Sequence, residues 1–182
     1  MANHAVLIPE MVMAMNVDSL NRSVIDLGAS ASAIDNGNVF EIDSKHTSGS
    51  LTEVFELVQA SSASPTDMWM AYSGDEVVLT ASKYKGLDPD PRNFYNEDNK
   101  VFSAFKPQVG DIILVTADAF SNTFDSHTYA CGQADSFELL WVSDERSTGL
   151  CFKYLQTKYI SLATGAIDDQ RVTAYELECV SI

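Results

Sequence analysis

The chain has 182 residues, 46% hydrophobic and 20% charged, a globular composition that excludes wholesale disorder and collagen-like repeats. Lys and Arg total 11 against 26 Asp and Glu, for a formal net charge of −15. Affinity for phosphate backbones and anionic lipid comes mainly from Lys and Arg, so neither nucleic acid nor a membrane is an expected partner. The plainer account is that an acidic surface keeps a protein soluble.

Met1 to Asp26 reads as irregular. It carries Met11, Met13 and Met15, whose flexible side chains adapt to uneven apolar surfaces. Such a segment is either an arm that docks on a neighbouring subunit or an ordinary first strand. It lacks a basic start, and Pro9 and Glu10 interrupt any apolar run, so no signal peptide is expected. No stretch approaches the roughly 18 to 20 apolar residues of a membrane span.

Asn36-Gly37-Asn38 is a turn signal, and Val39 to Ile42 follows as a short strand. Ser44 to Ser50 is a polar loop. Leu51 to Val58 fits both helical spacing and alternation; its surroundings favour a strand. Met68 to Tyr72 and Glu76 to Thr80 are rich in aromatic or β-branched residues, with Ser73-Gly74-Asp75 as a turn between them. Gly86 to Lys100 reads as a long polar loop, because the prolines of Asp88-Pro89-Asp90-Pro91 oppose helix and central strand alike.

Val101 to Phe105 resumes a strand, and Gly110-Asp111 opens the strongest one, Ile112 to Thr116. Phe137 to Val142, Leu150 to Leu155, Tyr159 to Leu162 and Val172 to Val180 continue the theme. In the last, Thr173, Tyr175, Leu177 and Cys179 alternate against Val172, Ala174, Glu176 and Glu178, a half-buried antiparallel pattern. About ten short strands at close spacing predict an all-β fold, an antiparallel β-sandwich or β-barrel with long loops and an extended N-terminal arm. Residues 1–50 would hold the arm and first strands and 51–182 a β-rich domain, unless 1–182 is one domain.

Three cysteines, Cys131, Cys151 and Cys179, are too few and too unevenly spaced for a disulfide framework. Cys151 and Cys179 read as buried small hydrophobes in a reduced, cytosolic setting. Asp125-Ser126-His127 has the composition of a hydrolase triad. However, triads assemble from distant positions, and on a strand Ser126 would point away from its neighbours. His4, His46 and His127 lack zinc-ligand spacing and read as surface histidines. Asp88, Asp90, Glu97 and Asp98 lack the glycine turn and closing Glu of a calcium loop. No phosphate-binding or dinucleotide fingerprint occurs. The expectation is no enzyme, no metal and no cofactor.

Tyr84 to Asn96, with Lys100 to Phe105 and Gly110-Asp111-Ile112-Ile113, is the most individual part of the chain. It resembles a family of tailed-phage proteins of the head-gene region, encoded near the major capsid protein. Gly86-Leu87, Phe94, Phe102, Phe105 and Gly110-Asp111 carry the likeness, and Ile34 to Phe40 resembles that family's Asp-Asn-Gly turn. The likeness spans residues 34–120; the tail after Ser121 aligns with nothing. Gly86 and Gly110 are expected in turns, with Phe94, Phe102 and Phe105 anchoring the long loop on the core.

The resemblance implies a virion component. Its most direct form is a decoration or cement protein, made in the host cytoplasm and bound to the capsid exterior. The partners would be the major capsid protein and further copies of the chain, as a dimer or trimer, with Met11, Met13 and Met15 in the capsid contact. The alternatives are a tail, collar or head-fibre component, or a small β hydrolase or carbohydrate-binding domain.

Overall fold

A computed structural model describes residues 4–7, 21–28, 33–47, 53–62, 64–73, 77–79, 86–88, 91–162 and 170–182. Among them run twelve strands: β1 (Asn21–Ile25), β2 (Val39–Lys45), β3 (Val54–Val58), β4 (Met68–Ala71), β5 (Val77–Leu79), β6 (Gly86–Asp88), β7 (Val101–Phe105), β8 (Ile112–Thr116), β9 (Tyr129–Cys131), β10 (Leu140–Val142), β11 (Cys151–Leu162) and β12 (Gln170–Ser181). The fold is all-β, as the turn spacing predicts.

Five strands close into a barrel in the order β1-β3-β2-β4-β7. Its pairs are antiparallel except β1 with β3, where Ser23, Val24 and Ile25 align in parallel with Val54, Phe55 and Glu56. Because β2 pairs with β3, the chain on either side of residue 50 shares this barrel. The barrel interior packs Val24, Phe40, Leu57, Trp69, Phe102 and Ala104. Phe40 and Phe102 meet edge to face at 6.0 Å. Each such side chain removed from water contributes about 1.5–3 kcal/mol.

The second layer is a sheet in the order β10-β9-β11-β12-β8. It packs on one wall of the barrel, and the period of two along β4 explains how. Trp69 and Ala71 point into the barrel, while Met68 and Met70 point at the sheet and join Phe105, Ile113, Leu139, Trp141, Phe152 and Leu177. A strand covered on both faces has no polar positions, which is why Met-Trp-Met-Ala is buried throughout.

Two devices fix the layers together. The Asn36-Gly37 turn has Gly37 at φ 94°, and a Cβ added there would lie 2.8 Å from Val115 Cγ2 on β8. Glycine is therefore required both for the conformation and for the close approach. Residues 4–7 run beside β8: Val6 donates its N–H to Thr116 Oγ1 and accepts from the Thr116 N–H, each at 2.9 Å. Ala5, Val6 and Leu7 are buried in that position.

Several local expectations change. Asn21–Ile25 is a barrel strand rather than irregular chain, because its pairing with β3 and β7 buries Val24 and Ile25. Met68–Ala71 and Val77–Leu79 do not form a hairpin: β4 pairs with β2 and β7, and β5 with β6. Gly86 opens strand β6 instead of a turn, and Pro91–Asn93 forms a 3₁₀ turn in the same loop. The runs from Leu150 and from Tyr159 are one strand, β11, carried through the intervening polar residues by its pairing with β12.

Candidate binding surface

The sequence-derived motif residues are structural. Gly110 sits at φ 96°, and Asp111 closes its turn by accepting the Gln108 N–H on Oδ2 at 2.8 Å. The turn is tied to β12 through Gly110 N–H to Cys179 O and Cys179 N–H to Asp111 O. Phe102 faces the barrel interior and Phe105 the layer junction, so β7 uses both faces. Phe94 is only half-buried, because it follows the 3₁₀ turn rather than lying on a strand. Met11, Met13 and Met15 lie outside the described residues.

Asp125-Ser126-His127 forms a local turn. Ser126 has φ 55°, and the Asp125 N–H donates to His127 Nδ1 at 3.2 Å. The ring nitrogen is thus occupied by the backbone, and Ser126 and Asp125 are exposed. His4 and His46 are less superficial than expected. His4 Nδ1 lies 2.8 Å from Asp35 Oδ1 and His46 Nδ1 lies 2.8 Å from Glu56 Oε1. Their partners lie 31 and 10 residues away, a pairing that local spacing does not display.

Asp35 belongs to a charged group at the layer junction. Its Oδ2 accepts the Ala5 N–H at 2.9 Å. Near it, burial raises the carboxyl of Asp118, opposed by Arg92 and reinforced by Asp35. Burial followed by repulsion from Asp35 raises Glu138. Among the described residues, no group of three or more His, Cys, Asp or Glu is arranged to hold a metal ion.

The cysteines depart from the reduced expectation. Cys131 and Cys151 stand opposite each other in the β9–β11 pair and are joined by a disulfide. Only Cys179 is free; burial pushes its thiol up to about 12, so it is inert at neutral pH.

An aromatic cluster lies on the sheet, where β11 and β12 emerge. Phe120 stacks on Trp141 at 4.4 Å, and Phe124 meets Trp141, Tyr154 and Tyr175 at 4.9–5.1 Å. Phe120, Phe124, Trp141 and Tyr175, with Ser121, Asn122 and Thr123, border an open cleft of about 220 Å³. Asn122 holds the rim in place, accepting from Trp141 N–H at 2.8 Å and donating to Trp141 O at 3.1 Å. Trp141 and Tyr175 are buried while Phe124 remains half-exposed, so the cleft offers a firm apolar floor with an accessible aromatic wall. Burial raises the Tyr175 phenol, with Tyr154 and Tyr159 adding to it. The phenol therefore stays protonated and acts as a hydroxyl, not a base.

From this cleft β11 and β12 continue as a two-stranded ribbon. β9 accompanies β11 only through Lys153, and β8 accompanies β12 only from Ala174 to Glu178. Beyond Lys153, β11 pairs with β12 alone among the described residues, and from Tyr159 to Leu162 with Thr173 to Gln170 the pair is a two-stranded ribbon. One ribbon face carries Thr157, Tyr159, Arg171 and Thr173, continuous with Tyr175; Arg171 lies over the Tyr159 ring at 5.1 Å. The opposite face carries Lys158, bound to Glu176 at 2.6 Å.

A second groove lies on the barrel. Arg22 is sandwiched near Phe55 and Trp69, 4.3 and 4.9 Å from the ring centroids, with Lys45 and Lys106 nearby. Those lysines are already engaged by Glu53 and Asp67. Two of the groove's three cations are thus paired with carboxylates, and the third, Arg22, is held over the rings.

Sequence reasoning missed the aromatic cleft, because its rings come from positions 120, 124, 141 and 175. The available signal was alternation, which puts Tyr175 on the face of Leu177 and Cys179. No protein-family model, no curated protein and no solved structure matches this chain.

Proposed function

We propose that this chain is a tailed-phage virion structural protein, a decoration or cement protein on the outer face of the major capsid protein lattice. The carrying observation is the aromatic cleft of Phe120, Phe124, Trp141 and Tyr175. A rigid aromatic floor within a polar rim is the form that protein-binding hot spots take. It would receive an apolar side chain from a loop of the capsid protein, while Ser121, Thr123 and Asn122 border the contact. The role is adhesive rather than catalytic.

The head-region resemblance supports the setting, and the net charge of −15 supports the outer side of the shell, away from packaged DNA. Cementing follows from linkage. A subunit that binds only the assembled lattice shifts the equilibrium towards it. Many copies at symmetry positions multiply modest contacts.

The test is binding of the purified protein to empty capsids, followed by their thermal disruption. Saturating protein should raise the disruption temperature, and Phe124→Ala should weaken binding about tenfold, from loss of one aromatic contact of more than about 1 kcal/mol. Full occupancy without any rise would remove the cement role. A virion inventory with only a few copies per particle would move the chain to the tail, collar or a head fibre.

A further inference from the structure

We infer that the β11–β12 ribbon is a self-association element, pairing edge to edge through β11 with the same strand of a second copy. This deepens the virion reading and rests on it only for the biological setting.

A two-stranded hairpin alone in water is marginal. This ribbon nevertheless extends beyond the sheet with hydrophobic positions in the open: Tyr159 is 62% exposed and Leu155 39%. Among the described residues, the outer edge of β11 from Leu155 to Leu162 has no strand beside it. The corresponding free stretch of β12 is shorter, Gln170 to Thr173. Such an edge presents a row of unpaired N–H and C=O groups, a template for another strand.

Charge selects the occupant. The chain carries 26 acidic residues, yet Tyr154 to Leu162 contains none and only one base, Lys158. Lysines commonly guard exposed edges against pairing, but this one is held by Glu176 on the ribbon's own face. Two copies of so acidic a molecule repel most strongly through their bodies. The β11 edge offers two such copies a strip of contact with no carboxylate of its own, and the same edge is self-complementary under a two-fold axis.

The register follows from side-chain pairing. Antiparallel pairing centred on Tyr159 places that ring beside its symmetry mate and Lys158 opposite Ile160. Centring on Lys158 would instead oppose two ammonium groups, which is unfavourable. The product is a four-stranded ribbon with the aromatic clefts at its two ends.

The test is the solution mass of the full chain by sedimentation, without capsids present. Wild type should sediment as a dimer of the 19.9 kDa chain. Tyr159→Glu, which opposes two carboxylates at the seam, should raise the dissociation constant on the order of thirtyfold or more. Tyr159→Phe should leave it unchanged, and circular dichroism should show each variant folded. Tyr159→Cys should give a covalent dimer on oxidation, whereas Lys153→Cys, outside the ribbon, should not. A monomeric wild type, a trimer, or a dimer indifferent to Tyr159→Glu would each overturn the inference. Capsid binding is read separately. A monomer that still decorates capsids sinks the ribbon pairing alone, and a ribbon dimer that ignores capsids sinks the virion reading alone.

Discussion

The two layers handle the same problem, exposed strand edges, in opposite ways. The barrel closes β1 onto β7, so its five strands leave no lateral edge for a neighbour. The sheet stays open. Residues 4–7 cover part of β8 on one side, while β11 and β12 run on past their neighbours. Aromatic residues divide in a similar way: Phe40 and Phe102 fill the barrel interior, while Phe120, Phe124, Trp141 and Tyr175 border an open cleft on the sheet. Closure suits the barrel to a supporting role, while the sheet presents the aromatic cleft and, among the described residues, the uncovered edge of β11.

That division is broken most severely from the barrel side. Phe40 is fully buried and touches Phe102, so Phe40→Ala should cost about 3–5 kcal/mol and lower the midpoint of chemical denaturation accordingly. Removing the half-exposed Phe124 should cost far less stability while affecting binding more. Equal losses of stability from the two substitutions would erase the distinction between support and binding surface.

The disulfide gives the next effect, confined to the sheet. Cys131 and Cys151 are 20 residues apart, and closing a loop of this length contributes about 3 kcal/mol through the unfolded chain. Reductant should lower stability by up to that amount. Thiol titration of the unfolded, unreduced protein should find one reactive group, Cys179. Three would show that the pair is reduced in solution and the sheet is held by packing alone.

Both layers were legible only strand by strand. Alternation and turn residues located Val39, Met68 and Val101 in the barrel and Ile112 in the sheet as strand starts, because those signals are local. Closure of β1 on β7, and the parallel β1–β3 joint, depend on contacts between residues some 30 to 80 positions apart, about which short windows carry no information. The Gly110-Asp111 turn was visible because a turn is built from adjacent residues. The aromatic cleft, the His4–Asp35 pair and the cystine were not, since each is assembled by the sheet order.

The smallest expected effects separate the layer junction from the ribbon by sign. Glu138 and Asp118 are raised in the folded protein by burial, with Asp35 pressing on both, so the folded state holds their protons more tightly than the unfolded chain. Stability from these groups is therefore greatest below their unfolded values and is lost as pH rises through the raised folded values. Glu176 is lowered, first by its hydrogen bond from Lys158 and then by Gln156; its contribution is present above the unfolded value and lost as pH falls through the lowered one. Melting between pH 7 and pH 4 should thus show Glu138→Gln losing part of the gain that wild type makes on acidification. Glu176→Gln should be lower at neutral pH and converge on wild type at acid pH. Each difference should be on the order of one degree, since these carboxylates keep contact with water. Should both variants shift in the same direction with pH, the junction and the ribbon would share one electrostatic character, and the contrast between a strained acidic seam and a charge-paired ribbon would fail.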